Sequence, residues 1–407
     1  MLKSKIKKIL TLGLLSNILG VLQSILLARL LGPELRGELA IPLTFVLLVL
    51  PLSSYGFKQN LAYLEGKKKV FISDSFLAKL VALCVISSIF FTLLYAFIYL
   101  DTFQAMLLQV FILILVRTLA DLFSYRFLVL KKAHEITKIS FYRSLIEISL
   151  VAFLFLSQIK ETSIVLNVFI LSYILFCVFV VFSYFLNKKK NTVRSTSIQI
   201  FSSAFFKRGL GYSIPLFLIN INTSFDVLML AKLATSKSVG IYHVAVSVAN
   251  MLWILPTLLG GLIFSESLDK KLAYLVDRLV GFYGYLLKGS VVLLLPLMLS
   301  NWFFITFFGK AFDQSSGIFN ILLLGYYAML IYKISNGVFA SHGLVKIPLL
   351  IFSLGALFNI GLNLWLIPMY DSKGAAIATL VSYIFCAAMF FFYTLKLKKN
   401  NAKKVPI

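Results

Sequence analysis

Acidic residues are scarce in this chain, 15 against 39 lysines and arginines over 407 positions, and charge of either sign makes up only 13% of it. So little charge cannot solvate the surface of a globular protein this long, which excludes a soluble fold. Histidine occurs only as His134, His243 and His342, none beside an acid or a nucleophile at a useful spacing, so the common acid–base patterns are missing. The three cysteines, Cys84, Cys177 and Cys386, lie inside apolar runs, which leaves neither a disulfide framework nor a metal site at ligand spacing. There is no Gly-x-x-x-x-Gly-Lys phosphate cradle, which argues against nucleotide hydrolysis by this chain. Nor is any loop long enough to form a soluble domain.

What the chain has is apolar length. Hydrophobic residues make up 60% of it and the mean hydropathy is +0.96, the composition of an all-α polytopic membrane protein. Runs near the ~20 residues of a spanning helix fall at 9–31, 39–57, 75–100, 103–123, 139–158, 163–186, 209–233, 239–264, 281–300, 315–334, 348–368 and 375–395. The first run is too long for a signal peptide and has no cleavage site of small residues after it. About twelve spans result. With the N-terminus placed in the cytoplasm, inner segments hold roughly 27 lysines and arginines and outer ones roughly 6, so both ends are expected to be cytoplasmic. The strongest inner markers are Lys67 to Lys69, Lys188 to Lys190, and the tail with Lys396, Lys398, Lys399, Lys403 and Lys404. The net charge of +24 sits in these short runs between spans, a pattern of membrane-surface anchors and not of nucleic-acid binding.

The first two spans are joined by Ala28 to Ala40, in which Gly32 and Pro33 end one helix and Gly37 lets the next begin. Ala231, Lys232, Leu233 and Gly240 repeat Ala28, Arg29, Leu30 and Gly37 at a shift of 203, close to half the chain. A weaker echo is Ser172-Tyr173-Ile174 in the sixth span and Ser382-Tyr383-Ile384 in the twelfth. Two copies of an even-numbered set of spans insert the same way up, so the expected domains are an N-lobe over 1–186 and a C-lobe over 209–395. A basic linker over 187–208 joins them and a cytoplasmic tail follows over 396–407.

Charges inside spans cost about 2.5 to 3.5 kcal/mol each near the bilayer centre, so they face a partner or water. They are Arg29, Lys79, Arg117, Asp121, Arg143, Glu147, Asp226, Lys288 and Lys333. Arg117 with Asp121 and Arg143 with Glu147 stand four apart and can pair along one helix face. Arg29, Lys79 and Lys333 are close enough to span ends to snorkel. Lys288 has no carboxylate in its own span. The surplus of cations suits an anionic cargo such as a diphosphate, with Arg29, Arg117, Arg143, Lys288 and Lys333 as the candidate cationic residues. Removing the charge of Lys288 or Arg117 should then lower translocation without lowering membrane insertion. Asn17, Gln23, Gln109, Asn220, Asn222 and Asn250 are polar groups that either line the same space or bond neighbouring helices.

The stretch Leu27 to Gly37, the run Tyr212 to Pro215 followed by Asp226, the Gly240-Ile241-Tyr242 restart and the Gly374 to Thr379 entry to the last span resemble the polysaccharide-transporter (O-antigen flippase) family. This family belongs to the multidrug, oligosaccharidyl-lipid and polysaccharide exporter superfamily. The resemblance implies twelve spans in two six-helix lobes around a V-shaped central cavity. It implies movement of undecaprenyl-pyrophosphate-linked oligosaccharide from the cytoplasmic to the outer leaflet of the bacterial inner membrane, by alternating access. The lipid-linked oligosaccharide and membrane lipids are the expected partners, with a polysaccharide polymerase and a chain-length regulator as further ones, and no nucleic acid. No cofactor is implied beyond a coupling ion, sodium or a proton. Lipid II flippases of the same superfamily hold sodium through residues that match Asp226, Asn359, Asn363, the Ala375 carbonyl and Thr379, and this chain departs at Asn363, where those relatives have a second carboxylate. A hydrogen-bond network that only packs helices is the alternative reading of these residues. The rival functions are an ion-coupled multidrug exporter of the same superfamily and, from another class, a membrane enzyme of polysaccharide assembly.

Overall fold

The computed structural model describes residues 2–66, 68, 70, 72–103, 106–130, 132–187, 202–253, 263, 267, 270–344 and 346–402. Among these residues the regular structure is helical throughout, as a bilayer demands of a chain that must satisfy its backbone polar groups internally. The helices are α1 (Leu2–Ser53), α2 (Phe57–Gly66), α3 (Asp74–Phe103), α4 (Leu107–Val129), α5 (Ala133–Leu156), α6 (Thr162–Leu186), α7 (Ser203–Leu233) and α8 (Ser236–Ala249). They continue with α9 (Leu272–Gly289), α10 (Leu294–Phe308), α11 (Asp313–Ala328), α12 (Leu330–Ser341) and α13 (Lys346–Ala402). Nine helical stretches among the described residues are long and apolar enough to cross a membrane.

Two of the nine are double. α1 breaks at Gly32, whose φ of 69° is one that glycine adopts without strain, and α13 breaks at Asp371 with φ 55°. Both breaks fall where the sequence places turns between spans. With α8 as the eighth span, whose later part lies outside the described residues, the total agrees with about twelve. The markers Lys67, Lys69, Lys188 to Lys190, Lys403 and Lys404, and most of the expected 187–208 linker, also lie outside the described residues.

Contacts divide the chain into two compact units, one of residues 1–31 and 38–220, the other of residues 32–37 and 221–407. The division falls inside α7, beyond the linker region, because the first half of α7 packs on unit 1. Phe205 stacks on Phe57 at 5.8 Å between ring centroids and meets Phe76 edge-on at 5.5 Å. Asn60, fully buried, donates to the Phe205 carbonyl at 2.9 Å. Deeper in unit 1, hydroxyls join three helices: Ser53 lies 2.9 Å from Thr118 and 3.2 Å from Ser87, the kind of polar contact that holds helices together where lipid supplies no hydrophobic drive.

Unit 2 uses the same device. Tyr283 on α9 has its hydroxyl 2.6 Å from Ser335 on α12 and 3.0 Å from Thr394 on α13. At another place in this unit the two echoing glycines lie against each other. A Cβ on Gly37 would fall on the Ser236 carbonyl, and a Cβ on Gly240 would fall on the Pro33 carbonyl. Ser236 and Gly240 stand 203 positions after Pro33 and Gly37, so each copy of the repeat offers the other the same two groups. Such self-complementarity is the mark of a two-fold relation. Next to it Ser238 donates to the Asp371 carboxylate at 2.6 Å, fixing the turn inside α13.

Candidate functional site

In unit 1 the charged candidates Arg117, Arg143 and Glu147, on α4 and α5, meet polar residues of α6. Glu147, on α5 and only 4% exposed, receives Arg143 from one turn earlier as an ion pair. It also accepts hydrogen bonds from Gln23 on α1 at 2.9 Å and from Ser172 on α6 at 3.2 Å. Three helices thus converge on one carboxylate. The neighbour of Ser172 is Tyr173, and its ring carries two cations: the Arg143 guanidinium lies 4.4 Å from the centroid and that of Arg117, on α4, 4.7 Å. Aromatic faces attract cations, and more strongly where water is excluded.

The expected Arg117–Asp121 pair is not the one that forms. Asp121 instead binds Lys58 of α2 at 3.3 Å, while Arg117 turns to Tyr173. Spacing of four makes two residues neighbours on a helix, and a lysine arriving from another helix has taken the acid. Lys58, Arg117, Asp121, Ser124 and Tyr173 line an open cavity of about 140 Å³.

In unit 2 the focus is Asp226 on α7, 3% exposed. One carboxylate oxygen accepts hydrogen bonds from the Tyr242 hydroxyl and from Thr379 at 3.1 Å, and the other accepts from the Val227 amide at 2.9 Å. Around the corner on α13, Asn363 donates to the side-chain and backbone oxygens of Asn359 at 2.9 and 3.0 Å. Asn359 in turn donates to Ser382 at 3.1 Å, and Ser382 to the Thr379 carbonyl at 3.0 Å. The Asp226–Thr379 and Asn359–Asn363 pairs are therefore one connected network. Ala375, fully buried, stands one turn ahead of Thr379. The side-chain oxygen of Asn363 is buried with no hydrogen-bond donor among the described residues. Carboxylate, hydroxyl, amide and carbonyl oxygens with one acceptor left open form a donor set that fits a hard cation, and Asp226, Thr379, Asn359, Asn363 and Ala375 are the residues that would hold it. With a single carboxylate in the set, a proton on Asp226 fits as well. No group of three or more His, Cys, Asp or Glu side chains suited to a metal occurs among the described residues.

The other candidates are dispersed. Lys333 has its ammonium 4.4 Å from the centre of the Trp253 ring in unit 2, so it is held by an aromatic face and does not snorkel. Lys288, in the last turn of α9, and Arg29 are exposed, as is Lys79. Of the polar candidates Gln23 joins a charged cluster. Asn17 bonds the Gly13 carbonyl on its own helix, Gln109 reaches Asn167 and the Ser163 carbonyl, and Asn220 and Asn222 donate to the Leu47 and Phe352 carbonyls. Asn250 accepts from Tyr326. Lys58, Tyr173, Tyr242 and Ser382 escaped the sequence-based selection of site residues. For three of them a signal was present, since Tyr242 belongs to the Gly240 restart and Tyr173 and Ser382 to the Ser-Tyr-Ile echo.

The family model described as "Polysaccharide biosynthesis protein" matches residues 2–262. Among solved structures, the lipid II flippase MurJ in an inward closed conformation superposes with a TM-score of 0.70 at 18% identity, covering 97% of this chain and 90% of that one. An inward-facing multidrug resistance MATE family transporter of the MOP superfamily gives 0.71 at 13% identity, with 96% of each chain covered. A MOP superfamily transporter from Pyrococcus furiosus gives 0.55 at 14%, covering 99% of this chain and 97% of that one. No curated protein matches the sequence. At such identities the superpositions speak for the fold, which is that of the MOP superfamily, and the sequence match over nearly two-thirds of the chain speaks for descent: the chain belongs to the polysaccharide biosynthesis protein family.

Proposed function

We propose that this membrane transporter is a flippase for lipid-linked oligosaccharides, moving an undecaprenyl-pyrophosphate-linked repeat unit from the cytoplasmic to the outer leaflet of a bacterial inner membrane. The observation that carries the reading is the pair of guanidinium groups on Tyr173, one of them beside a cavity edged by a further lysine. Arginine and lysine within apolar helices are retained where an anion has to pass, and a diphosphate is the anionic part of such a cargo. The family match supports the polysaccharide side of the reading. The alternating-access cycle of the proposal is driven by sodium or a proton at Asp226, or by consumption of the cargo on the far side. A polymerase and a chain-length regulator are the partners that consumption would require.

The MATE-like fold suits an exporter of cationic drugs equally well, but unit 1 offers such drugs a cluster rich in cations. The test is to delete the gene in its host and determine on which leaflet the repeat units accumulate. Trapping on the cytoplasmic leaflet, relieved by the restored gene, is the expected result. Unchanged surface polysaccharide together with ethidium efflux by the expressed protein would overturn the reading in favour of the exporter.

A further inference from the structure

Away from both centres, unit 2 has an open cavity of about 840 Å³ between α9 and α12, within the size range of ligand sites. Its floor is apolar: Leu275, Leu279, Ile334 and Val338 are all buried. Its rim is not. Tyr274, Arg278, Gly281 and Tyr285, exposed and spaced by four, three and four, form one face of α9. A Cβ on Gly281 would meet nothing within 4 Å, so the groove stays open over the backbone between the two tyrosines.

Arg278 sets the chemistry. Its Nε donates to the Tyr274 hydroxyl at 3.0 Å, and its guanidinium lies 5.3 Å from the centre of that ring. The side chain is thereby held from one edge, while its two terminal nitrogens have no acceptor among the described residues. Those two nitrogens are a fork that fits a phosphate. The neighbouring acid, Asp277, is occupied by Lys398 of α13 at 3.1 Å. Depth agrees with such a ligand. The apolar run of the ninth span begins at 281, three residues or roughly 4.5 Å beyond Arg278. The guanidinium therefore stands in the headgroup layer, about 5 to 7 Å thick on each side of a bilayer, where tyrosine belts also lie.

We propose that this groove is a seat for one anionic glycerophospholipid of the bilayer. Arg278 holds the phosphate diester by its terminal nitrogens, and one acyl chain lies over Gly281 on the apolar floor. Arg278 and Lys270, the two cations of the lining, favour a headgroup that carries no ammonium of its own. On the topology expected from the lysines and arginines, α9 begins on the inner side and the lipid comes from the cytoplasmic leaflet. Such a lipid would serve a flippase and a drug exporter alike, so the seat stands or falls independently of the cargo.

The test is native mass spectrometry of the full-length protein in neutral detergent, titrated with palmitoyl-oleoyl phosphatidylglycerol or its phosphatidylcholine counterpart. One phosphatidylglycerol is expected to bind about ten-fold tighter than phosphatidylcholine, the worth of one well-made charged contact. Arg278→Ala should abolish that preference, and Arg278→Lys, which keeps the charge without the fork, should keep part of it. Gly281→Leu fits the open space and fills the groove, so it should weaken both lipids alike, by about five-fold. Lys271 is exposed and outside the lining, and Lys271→Ala should change neither affinity by more than about two-fold. Equal losses in Lys271→Ala and Arg278→Ala would mean diffuse attraction to the surface and overturn the seat, as would a wild type without preference. A Gly281→Leu protein that binds both lipids as the wild type does overturns it too, and that arm decides alone should Arg278→Ala fail to fold. Displacement of phosphatidylglycerol by equimolar polyprenyl phosphate would give the groove to polyprenyl lipids and overturn phosphatidylglycerol as its occupant.

Discussion

The polar centres of the two units are versions of one arrangement in which the acid has changed places. In unit 1 an amide on the first span, Gln23, meets an acid on the fifth, Glu147, next to Ser172 and Tyr173 on the sixth. In unit 2 the residue 203 positions after Gln23 is Asp226, and the serine of the twelfth span, Ser382, accepts a hydrogen bond from Asn359 of the eleventh where Ser172 donates one to Glu147. Acid and amide have swapped spans. The second difference is the counter-charge. Glu147 is neutralised by Arg143 one turn away, whereas the residue one turn before Asn359 is Gly355, which has no side chain to offer. Unit 1 thus carries a cation tethered to its carboxylate, and unit 2 meets its carboxylate with hydroxyls and leaves the Asn363 oxygen open. A repeat of one plan has become a fixed charge pair on one side and an unfilled oxygen set on the other.

The comparison breaks most visibly at Arg143. Arg143→Ala leaves Glu147 buried without its cation, and a loss of about 3 to 5 kcal/mol is expected, read as a drop in thermal midpoint in detergent. Low millimolar guanidinium should restore part of that loss where urea does not; no restoration would mean that the place beside Glu147 is not equivalent to a cation seat. Next in size is Asp226→Asn, which replaces the carboxyl acceptor of the Tyr242 and Thr379 hydroxyls and should cost about 1 to 3 kcal/mol. If sodium is the coupling ion, the wild type is more stable in sodium than in potassium and the Asn variant shows no difference. Thr379→Val removes one hydrogen bond of the three on Asp226 and should cost about 1 kcal/mol, with sodium dependence weakened but present. The smallest effect is expected at Lys288, because it is exposed and joins neither centre: Lys288→Ala should leave transport within about two-fold of wild type. A large loss there would show that a cation outside both centres matters to the cargo.

Span positions were legible because length and lack of charge decide them, and the turn at Gly32 because Gly-Pro has few backbone choices. Arg143 with Glu147 could be read from spacing alone. Arg117 with Asp121 has the same spacing and fails, since the deciding partner is Lys58, just past the predicted end of the second span. That end was itself misplaced in effect: Tyr55 and Gly56 turn the chain with φ of 46° and 60°, after which α2 carries Lys58 on as helix. Pairings of this kind depend on which helices touch, and an apolar sequence with a single dominant period says little about that. Asp226 stands out in the sequence as a charge inside a span, but its partnership with Thr379, 153 positions away, is reached through resemblance and not through pattern. Tyr242 was missed because a tyrosine in an apolar span has an ordinary explanation in packing.

The contact between Gly37 and Gly240 has a consequence for how this chain can vary. Here each glycine is the surface on which the other rests, so a methyl group added to either is rejected by the other hairpin. Each position is held at glycine by the other hairpin's carbonyl, and since that carbonyl is backbone, no side-chain change at one position frees the other.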